Sequence, residues 1–229
     1  MIRVARDFRI KGNPVSSELF GNGHINTTYK VDCDNGREYI IQKLNTNTFK
    51  DPHMLMDNLA AITSHLKKRT DNKREVLSLV KAESGASHVI DEDGGFWRAF
   101  EFVTDSVCLQ RAETAEDFYE SAVAFGRFQN LLIDFPTHTL GETIPDFHDT
   151  VKRYAAFKQA VEQDVCGRAA GAQREIEFVL EREDFASIFV DYIASGQVPL
   201  RVTHNDAKLN NVLFDKNTRK GLCVIDLDT

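Results

Sequence analysis

The most informative part of the sequence is His204-Asn205-Asp206-Ala207-Lys208-Leu209-Asn210-Asn211-Val212-Leu213-Phe214, followed after a turn by Val224-Ile225-Asp226-Leu227-Asp228-Thr229. Short apolar runs flank the polar turn 215–221, and this pattern predicts a β-hairpin. The hairpin would bring Asn211 and Asp226 together at one of its ends. The sequence therefore predicts a polar site there, built from oxygen-bearing side chains.

The spacing within this stretch resembles the catalytic loop H-R-D-x-x-x-x-N of protein kinases. Asp206 follows His204 by two residues and precedes Asn211 by five. In the kinase loop the Asp receives the proton of the acceptor hydroxyl and the Asn holds a magnesium ion. Asp226 falls where the metal-binding Asp of kinases falls. Any one of these residues alone would be explained as a solvated turn or strand end, but the four together match a phosphoryl-transfer site.

The residue types fit the chemistry that this spacing indicates. Transfer of a γ-phosphoryl group requires that the charge of the triphosphate be neutralised, and Mg²⁺ prefers oxygen ligands such as a carboxylate and an amide carbonyl. Asn211 and Asp226 supply both. Lys208 can place an ammonium group on the transferred phosphate while Asp206 orients the hydroxyl, so positioning and electrostatics would account for most of the catalysis.

The composition limits the class of protein. The 229 residues are 42% hydrophobic and 28% charged, enough for one large domain or two small lobes. The net charge of −7 argues against nucleic acid or an anionic membrane surface as the main partner. The chain has no apolar run of membrane-spanning length and no secretory apolar core at its N-terminus, so we expect a cytoplasmic protein. The four cysteines are far apart, which favours neither a zinc site nor a redox dithiol.

The first part of the chain has the pattern of an antiparallel sheet with one helix. Asp34-Asn35-Gly36 is a strong hairpin signal, because Asn-Gly readily takes positive φ values, so strands 29–33 and 37–44 should pair. Asp51-Pro52 begins a helix, with an acceptor at the N-cap and Pro at the first helical position. We predict an N-terminal lobe over residues 1–103 with a five-stranded antiparallel sheet.

Candidate phosphate-binding residues lie within this lobe. Gly21 and Gly23 stand in a tight turn between extended segments, where backbone N–H groups can approach phosphates without interference from a Cβ atom. An ordinary hairpin turn explains these glycines equally well if they are taken alone. The third strand of a kinase carries a Lys that grips the phosphates. Here Gln42 and Lys43 point to opposite faces of the strand, and the sequence leaves open which of them faces the nucleotide.

The segment Glu101-Phe102-Val103 stands where a kinase has its hinge, whose backbone groups would bind the adenine edge. Phe102 is equally well explained as a core residue. Beyond Thr104 the pattern becomes helical. Helices are predicted at 114–132, where Thr114-x-x-Asp117 forms a capping box, and at 146–165 and 172–194. We therefore predict a mainly helical second lobe, residues 104–229, that holds the catalytic and metal loops.

These motifs together resemble the family of aminoglycoside phosphotransferases and choline kinases, whose members share the protein-kinase-like fold, and within it the N-acetylhexosamine 1-kinase branch. The segments that carry the resemblance are Gly23-His24-Ile25-Asn26-x-Thr28-Tyr29, Phe49-x-Asp51-Pro52, Ile144-Pro145-x-Phe147-His148-Asp149-Thr150 and His204-Asn205-Asp206-x-Lys208-Leu209-Asn210-Asn211.

The resemblance implies an α+β, two-lobe fold and an enzyme that uses ATP and Mg²⁺ to phosphorylate a sugar acceptor, the anomeric hydroxyl of an N-acetylhexosamine. It makes Asp206 the general base, Lys208 a phosphate contact, Asn211 and Asp226 the metal ligands, and Asp228 a second metal ligand or a residue that supports one. The nucleotide-binding set is Gly21, Gly23, His24, Asn26, Thr28, Gln42, Lys43, Glu101 and Val103. Choline and aminoglycosides are alternative acceptors, and a catalytically inactive nucleotide-binding module is the alternative from another class.

The sequence departs from this family in two respects. Gln42 stands where other phosphotransferases have a strand Lys or Arg, and the helix after Asp51 offers no Glu to pair with such a cation. The chain also stops at Thr229, directly after the metal loop, whereas relatives continue into further helices. We therefore expect a truncated C-terminal lobe. Its helices at 115–132 and 172–194 would expose apolar surface, which favours a homodimer.

Overall fold

The computed structural model describes residues 1–21, 23 and 25–229. The chain divides into two compact units, Met1–Ile144 with Val202–Thr229 and, separately, Pro145–Arg201. The predicted lobe boundary after residue 103 lies within the first unit and stays a prediction. Among the described residues, no helix combines the length and the apolar character that a membrane span requires.

An antiparallel sheet forms the first part of the first unit. Its strands are β1 (Pro14–Leu19), β2 (Thr27–Cys33), β3 (Glu38–Lys43), β4 (Leu79–Val80), β5 (Val89–Ile90) and β6 (Phe96–Glu101). The order is β1-β2-β3-β6-β4, and β5 also pairs with β6. The sheet has six strands where five were predicted. The two-residue strands β4 and β5 pair with different halves of the same edge of β6, so together they occupy one strand position.

The hairpin between β2 and β3 has the predicted pairing. Its register runs from Thr27 opposite Lys43 to Asp32 opposite Glu38. Gly36 has a φ of 77°, the left-handed conformation that an Asn-Gly turn needs. Because the side chains of a strand alternate between faces, this register fixes which residues of β2 and β3 share a face.

Helices cover both faces of this sheet. α2 (Pro52–Lys67) begins as predicted, with the Asp51 carboxylate accepting a hydrogen bond from the Met54 N–H at 2.9 Å. Its apolar side packs with Leu44, Phe96 and Phe100 on one face of the sheet, whereas α1 (Ile2–Ala5) contributes Ala5 to the core on the other face. The face that packs against α2 is the one that bears Ile40 and Phe100, and by alternation also Gln42 and Arg98.

A second sheet, of three strands, contains the hairpin that was predicted from residues 212–225. It consists of β7 (Ser106–Cys108), β8 (Val212–Asp215) and β9 (Gly221–Val224), in that order. The predicted hairpin is β8 and β9, with Val212 opposite Val224. α3 (Ala115–Leu131) begins with the predicted capping box between Thr114 and Asp117. The buried side chains that join this sheet to α3 and α2 include Ile62, Leu66, Ala124, Phe128, Val212, Phe214 and Val224.

The second unit is helical. It contains α4 (Thr150–Gln163), α5 (Gln173–Leu180) and α6 (Ile188–Ala194). The helix predicted at 172–194 is therefore two helices, because the charged run 181–184 leaves no apolar residue to continue the buried stripe, and the chain turns there. Apolar side chains of α5, α6 and the turn between them are exposed, among them Phe178, Phe185 and Phe189 at 57%, 69% and 68%. The predicted homodimer stays a prediction.

Candidate active site

His204 anchors the catalytic loop from within the core. Its side chain is buried, and its ring lies edge-on to that of Phe125, with ring centres 5.2 Å apart. The Asp206 N–H donates to His204 Nδ1 at 3.3 Å, so Nδ1 is the acceptor and Nε2 carries the proton. That Nε2–H lies 2.7 Å from the carbonyl oxygen of Ile225. His204 therefore ties the catalytic loop to the residue that precedes Asp226.

The catalytic loop and the end of the chain hold each other through a second set of contacts. Asn205 has a φ of 61°, and its Nδ2 donates to the Thr229 carbonyl at 2.8 Å. The Thr229 hydroxyl donates to the carbonyl of His204 at 2.9 Å. Because these hydrogen bonds run in both directions between the two segments, Asp206 is held in a defined place relative to the loop of Asp226.

Asp206 lies between the two neighbours that the sequence motif predicts. Its Oδ2 accepts a hydrogen bond from Lys208 Nζ at 2.6 Å and another from Asn211 Nδ2 at 3.2 Å. The Asn211 amide also donates to the Asp206 carbonyl at 2.9 Å. The Asp206 side chain is 39% exposed, and its Oδ1 accepts no hydrogen bond from any described residue. This oxygen is open to the hydroxyl of an acceptor.

Asn211 and Asp226 stand next to each other at one end of the β8–β9 hairpin, as the sequence indicates. The Ile225 N–H donates to the Asn211 carbonyl at 2.9 Å, which closes the ladder just before Asp226. Asp226 has a φ of 62°, an uncommon backbone conformation for a residue other than glycine. Such strain concentrates at functional sites.

The electrostatic environment of Asp226 disfavours its charged form. Desolvation of the carboxyl group by neighbouring atoms, and then the negative charge of Asp228, raise its pKa, although the residue as a whole is exposed. The positive charges of Arg98 and Lys208 act in the opposite direction. A carboxylate in such a place gains from a bound cation, which would lower its pKa.

The donor set at this position fits Mg²⁺. Both amide hydrogens of Asn211 are directed at Asp206, so its Oδ1 remains as an acceptor, and Asp226 forms no hydrogen bond with a described residue. A carboxylate and an amide oxygen are hard donors, and Mg²⁺ commonly takes one or two carboxylates and completes its shell with water and phosphate oxygens. Over residues 1–21, 23 and 25–229, no three His, Cys, Asp or Glu side chains converge into a metal site.

Asp228 has a different environment from Asp226. It is 2% exposed, and both of its carboxylate oxygens are occupied. Arg98 donates to Oδ1 at 2.5 Å and to Oδ2 at 2.8 Å, and Asn26 Nδ2 donates to Oδ2 at 2.8 Å. Arg98 was not among the site residues predicted from the sequence. Its signal was present, since Arg98 is the only charged residue within the apolar run 96–100.

The structure shows which strand residue faces this site. Thr28, Gln42 and Arg98 stand opposite one another on neighbouring strands. Gln42 Nε2 donates to the Thr28 hydroxyl at 2.9 Å, and its Oε1 accepts from Arg98 Nε at 2.9 Å. Lys43 points to the opposite face, where its Nζ lies 5.4 Å from the centre of the Trp97 ring. The side chain that faces the metal loop is therefore that of Gln42.

The glycine turn borders a cavity of about 200 Å³. Gly21 has a φ of 78°, and apart from its chain neighbours no described residue has an atom within 4 Å of the place where its Cβ would be, so its backbone is accessible from the described part of the chain. Gly23 and Asn26 also line this cavity. His24, which the sequence included in the nucleotide-binding set, lies outside the described residues.

The proposed hinge segment is held by the sheet on one side. The Glu101 and Phe102 N–H groups donate to the carbonyls of Ser78 and Glu38 at 2.9 and 3.1 Å. Val103 is buried, and its carbonyl accepts from the Ser106 hydroxyl at 2.6 Å. Its N–H donates to no residue that the structure describes, which leaves one backbone donor here for a ligand.

The fold is that of several solved phosphotransferases. An aminoglycoside phosphotransferase from Alicyclobacillus acidocaldarius is similar at a TM-score of 0.61 and 14% identity, over 99% of this chain and 65% of that one. An amicoumacin kinase solved with AMP-PNP and Ca²⁺ gives a TM-score of 0.57 and 14% identity, with coverages of 99% and 62%. A spectinomycin phosphotransferase solved with ADP and spectinomycin gives 0.55 and 14%, with coverages of 99% and 67%.

The chain therefore spans 62% to 67% of the length of these proteins. The likeness confirms the predicted fold class, an α+β structure with an antiparallel sheet and a helical region. The family model described as the phosphotransferase enzyme family matches residues 16–229, which is nearly the whole chain. The chain belongs to the phosphotransferase enzyme family.

Proposed function

We propose that this chain contains the nucleotide-binding and catalytic residues of an ATP- and Mg²⁺-dependent kinase that phosphorylates a hydroxyl group of a small molecule. The observation that carries the proposal is the arrangement around Asp206. This carboxylate has one oxygen held by Lys208 and Asn211 and the other open, and Asp226 lies beside Asn211 across the end of a hairpin. A carboxylate, a cation and a pair of oxygen donors are the groups that phosphoryl transfer requires.

Each side chain has a role that its contacts support. Asp206 Oδ1 accepts a hydrogen bond from the substrate hydroxyl and orients it. The hydrogen bonds from Lys208 and Asn211 fix the rotamer of the carboxylate. Lys208 is 47% exposed at its side chain, so it can turn from Asp206 to the transferred phosphate. Asn211 Oδ1 and the Asp226 carboxylate would hold Mg²⁺. The bound ion would neutralise charge on the phosphates.

The nucleotide would lie between the glycine turn and the hinge segment. The accessible backbone at Gly21 and Gly23 would approach the phosphates, and the Val103 N–H, together with the carbonyl of Glu101, would bind the adenine edge. Two solved proteins of similar fold carry ADP and AMP-PNP, which supports ATP as the donor. Gln42 faces this region as a neutral group, whereas Lys43 points to the other face of the sheet.

We further propose a sugar hydroxyl, the anomeric hydroxyl of an N-acetylhexosamine, as the acceptor. The support is the set of four sequence motifs that resemble the N-acetylhexosamine 1-kinases. Gly23 and Asn26 of the first motif line the cavity at the glycine turn, and Asp206 of the last motif is the proposed general base. An aminoglycoside or choline acceptor fits the family match equally well. An inactive nucleotide-binding module is the alternative from another class.

The test is Mg²⁺-dependent ATP consumption with N-acetylglucosamine, N-acetylgalactosamine, choline and kanamycin as acceptors. We expect turnover with one N-acetylhexosamine, and we expect Asp206→Asn to lower kcat by roughly 10²- to 10⁴-fold, the usual contribution of a general base. Asp71→Asn is the matched control, since Asp71 is exposed and has no side-chain hydrogen bond or ion pair with a described residue. Turnover with kanamycin or choline alone would replace the proposed acceptor. No turnover with any of the four would favour the inactive module.

A further inference from the structure

Arg98 is the largest fully buried side chain of the described residues. It stands in the middle of β6, between Trp97 and Ala99, and its neighbours along the strand from Phe96 to Phe100 are apolar. Burying a guanidinium is unfavourable unless it is paired and hydrogen-bonded. Asp228 provides that pairing with two parallel hydrogen bonds of 2.5 and 2.8 Å, and is itself 2% exposed.

Arg98 also explains why a glutamine stands at position 42. Gln42 lies directly opposite Arg98, and its side chain accepts from Arg98 Nε and donates to Thr28. A lysine at this position would place a second positive charge against the buried guanidinium. The amide of Gln42 instead accepts from the Arg98 guanidinium on one side and donates to the Thr28 hydroxyl on the other. The cation that the family places on β3 has its counterpart here on the neighbouring strand.

The carboxylate that pairs with the sheet cation also comes from a different element than it does in kinases. In kinases the strand lysine pairs with a Glu on the helix that packs on the sheet, but α2 contains no Glu. Asp57 and Asn58 of α2 do not replace that Glu. Asp57 is exposed, and the Asn58 amide forms hydrogen bonds of 2.7 and 3.0 Å with the carbonyl and the N–H of Gly141. The carboxylate that meets the sheet cation comes instead from Asp228, two residues after Asp226.

Asp228 is thereby the point at which three parts of the site meet. It accepts from Arg98 on β6 and from Asn26 in the turn before β2, and it belongs to the metal loop. Asn26 in turn accepts a hydrogen bond from the Asn45 N–H at 3.0 Å, which fixes its amide. Leu227, between the two aspartates, packs against two of the core clusters.

We infer that the Arg98–Asp228 pair takes the place of the strand-lysine and helix-glutamate pair, and that Arg98 is a positioning residue for the metal loop. By fixing both oxygens of Asp228 it sets the place of Asp226, which would hold Mg²⁺ together with Asn211. This inference rests on the proposed function. It assigns Asp228 to the buried ion pair rather than to direct coordination of a metal.

The competing explanation is an ion pair that only stabilises the fold. The two differ in their effect on metal affinity, so the experiment measures the dissociation constant of Mn²⁺ from the complex of the full chain with ATP, by electron paramagnetic resonance. Arg98→Lys keeps the charge but loses the two-pronged geometry. We expect it to weaken Mn²⁺ binding roughly 10- to 100-fold, the effect typical of residues that orient metal ligands. Its affinity for ATP without metal should change little.

Three further variants separate the possibilities. Asp228→Asn should weaken Mn²⁺ binding as much as Arg98→Lys does, and the double variant should lose no more, because Arg98 acts through Asp228. Arg74→Lys is the matched control, since Arg74 makes an equally extended set of contacts, to Asp215 and to two carbonyls, away from this loop. It should lower the melting temperature without changing the Mn²⁺ constant.

Unchanged Mn²⁺ affinity in folded Arg98→Lys and Asp228→Asn would overturn the inference and leave the proposed function in place. Additive losses in the double variant would also overturn it, because Arg98 would then act independently of Asp228. If the unmodified chain bound neither ATP nor Mn²⁺ in its presence, both the inference and the proposed function would be wrong.

Discussion

At the scale of single residues, Asp215 shows how a carboxylate can order a turn. It ends β8, and its carboxylate accepts from the N–H groups of Asn217 and Thr218 at 3.0 and 2.9 Å and from Arg74 at 2.8 Å. The hydrogen bond from the Thr218 backbone and then that from Arg74 lower the pKa of Asp215 to about 2. The folded chain therefore stabilises the charged form of Asp215.

This predicts a pH dependence of stability with a definite sign. Since the folded pKa of about 2 lies below the ordinary value of 3.8, the contribution of Asp215 is present above pH 3.8 and is lost as the pH falls toward 2. Asp215→Asn should lower the free energy of unfolding at pH 7 and reduce its change between pH 5 and pH 2.5. Urea unfolding at several pH values measures this, with Asp71→Asn as the control. Parallel curves for the variant and the unmodified chain would contradict it.

At the scale of elements, β9 lies unusually close to α3. A Cβ atom on Gly221 would lie 2.6 Å from the carbonyl oxygen of Glu120 and 2.9 Å from the Cβ atom of Ala124. The Gly221 N–H also donates to the Glu120 carboxylate at 3.1 Å. The glycine is therefore what lets the hairpin that carries the metal loop pack directly on the helix.

Two glycine substitutions should have opposite effects for this reason. Gly221→Ala forces backbone atoms apart and should destabilise the chain by about 1 to 3 kcal/mol, the usual cost of overpacking. Gly126 lies in the middle of α3, and a Cβ atom there would meet no described residue within 4 Å outside the backbone of its own helix. Gly126→Ala should therefore stabilise the chain by up to about 1 kcal/mol through helix propensity. Chemical unfolding compares the two. Equal effects would show that the contact between β9 and α3 is looser than the structure has it.

The elements that sequence predicted best are those with local signals. The Asn-Gly turn fixes the β2–β3 hairpin, Asp51 caps α2, and Thr114 caps α3, because each of these effects acts within a few residues. The break between α5 and α6 was not predicted, although it falls at the charged run 181–184. The choice between Gln42 and Lys43 needed the register of three strands and the face on which α2 packs.

The part of the site that sequence could not provide is the part that joins distant segments. Arg98 and Asp228 are 130 residues apart, and Asn26 and Asp228 are 202 apart. No local sequence pattern around Asp228 predicts that it pairs with Arg98 or Asn26. The sequence therefore predicted Asp228 as a second metal ligand or as a residue that supports one. The structure instead gives both of its oxygens to protein donors.

At the scale of the whole molecule, one polar site is held together by residues from both ends of the chain. Asn26, near the start, and Arg98, on the central sheet, meet the loop of Asp226 through Asp228. His204 binds that loop from the other side through Ile225. These contacts all lie within the first compact unit. That unit would therefore bind nucleotide and metal as a single preformed site.

Calorimetric titration of ATP into the chain, with Mg²⁺ and with a chelator, tests whether the first unit holds a site for nucleotide and metal together. We expect Mg²⁺ to strengthen ATP binding, and we expect Asp226→Asn to weaken the Mg²⁺-dependent binding by roughly tenfold or more while leaving the dissociation constant in chelator unchanged. Binding of equal strength with and without Mg²⁺, or an Asp226→Asn variant that responds to Mg²⁺ as the unmodified chain does, would contradict it.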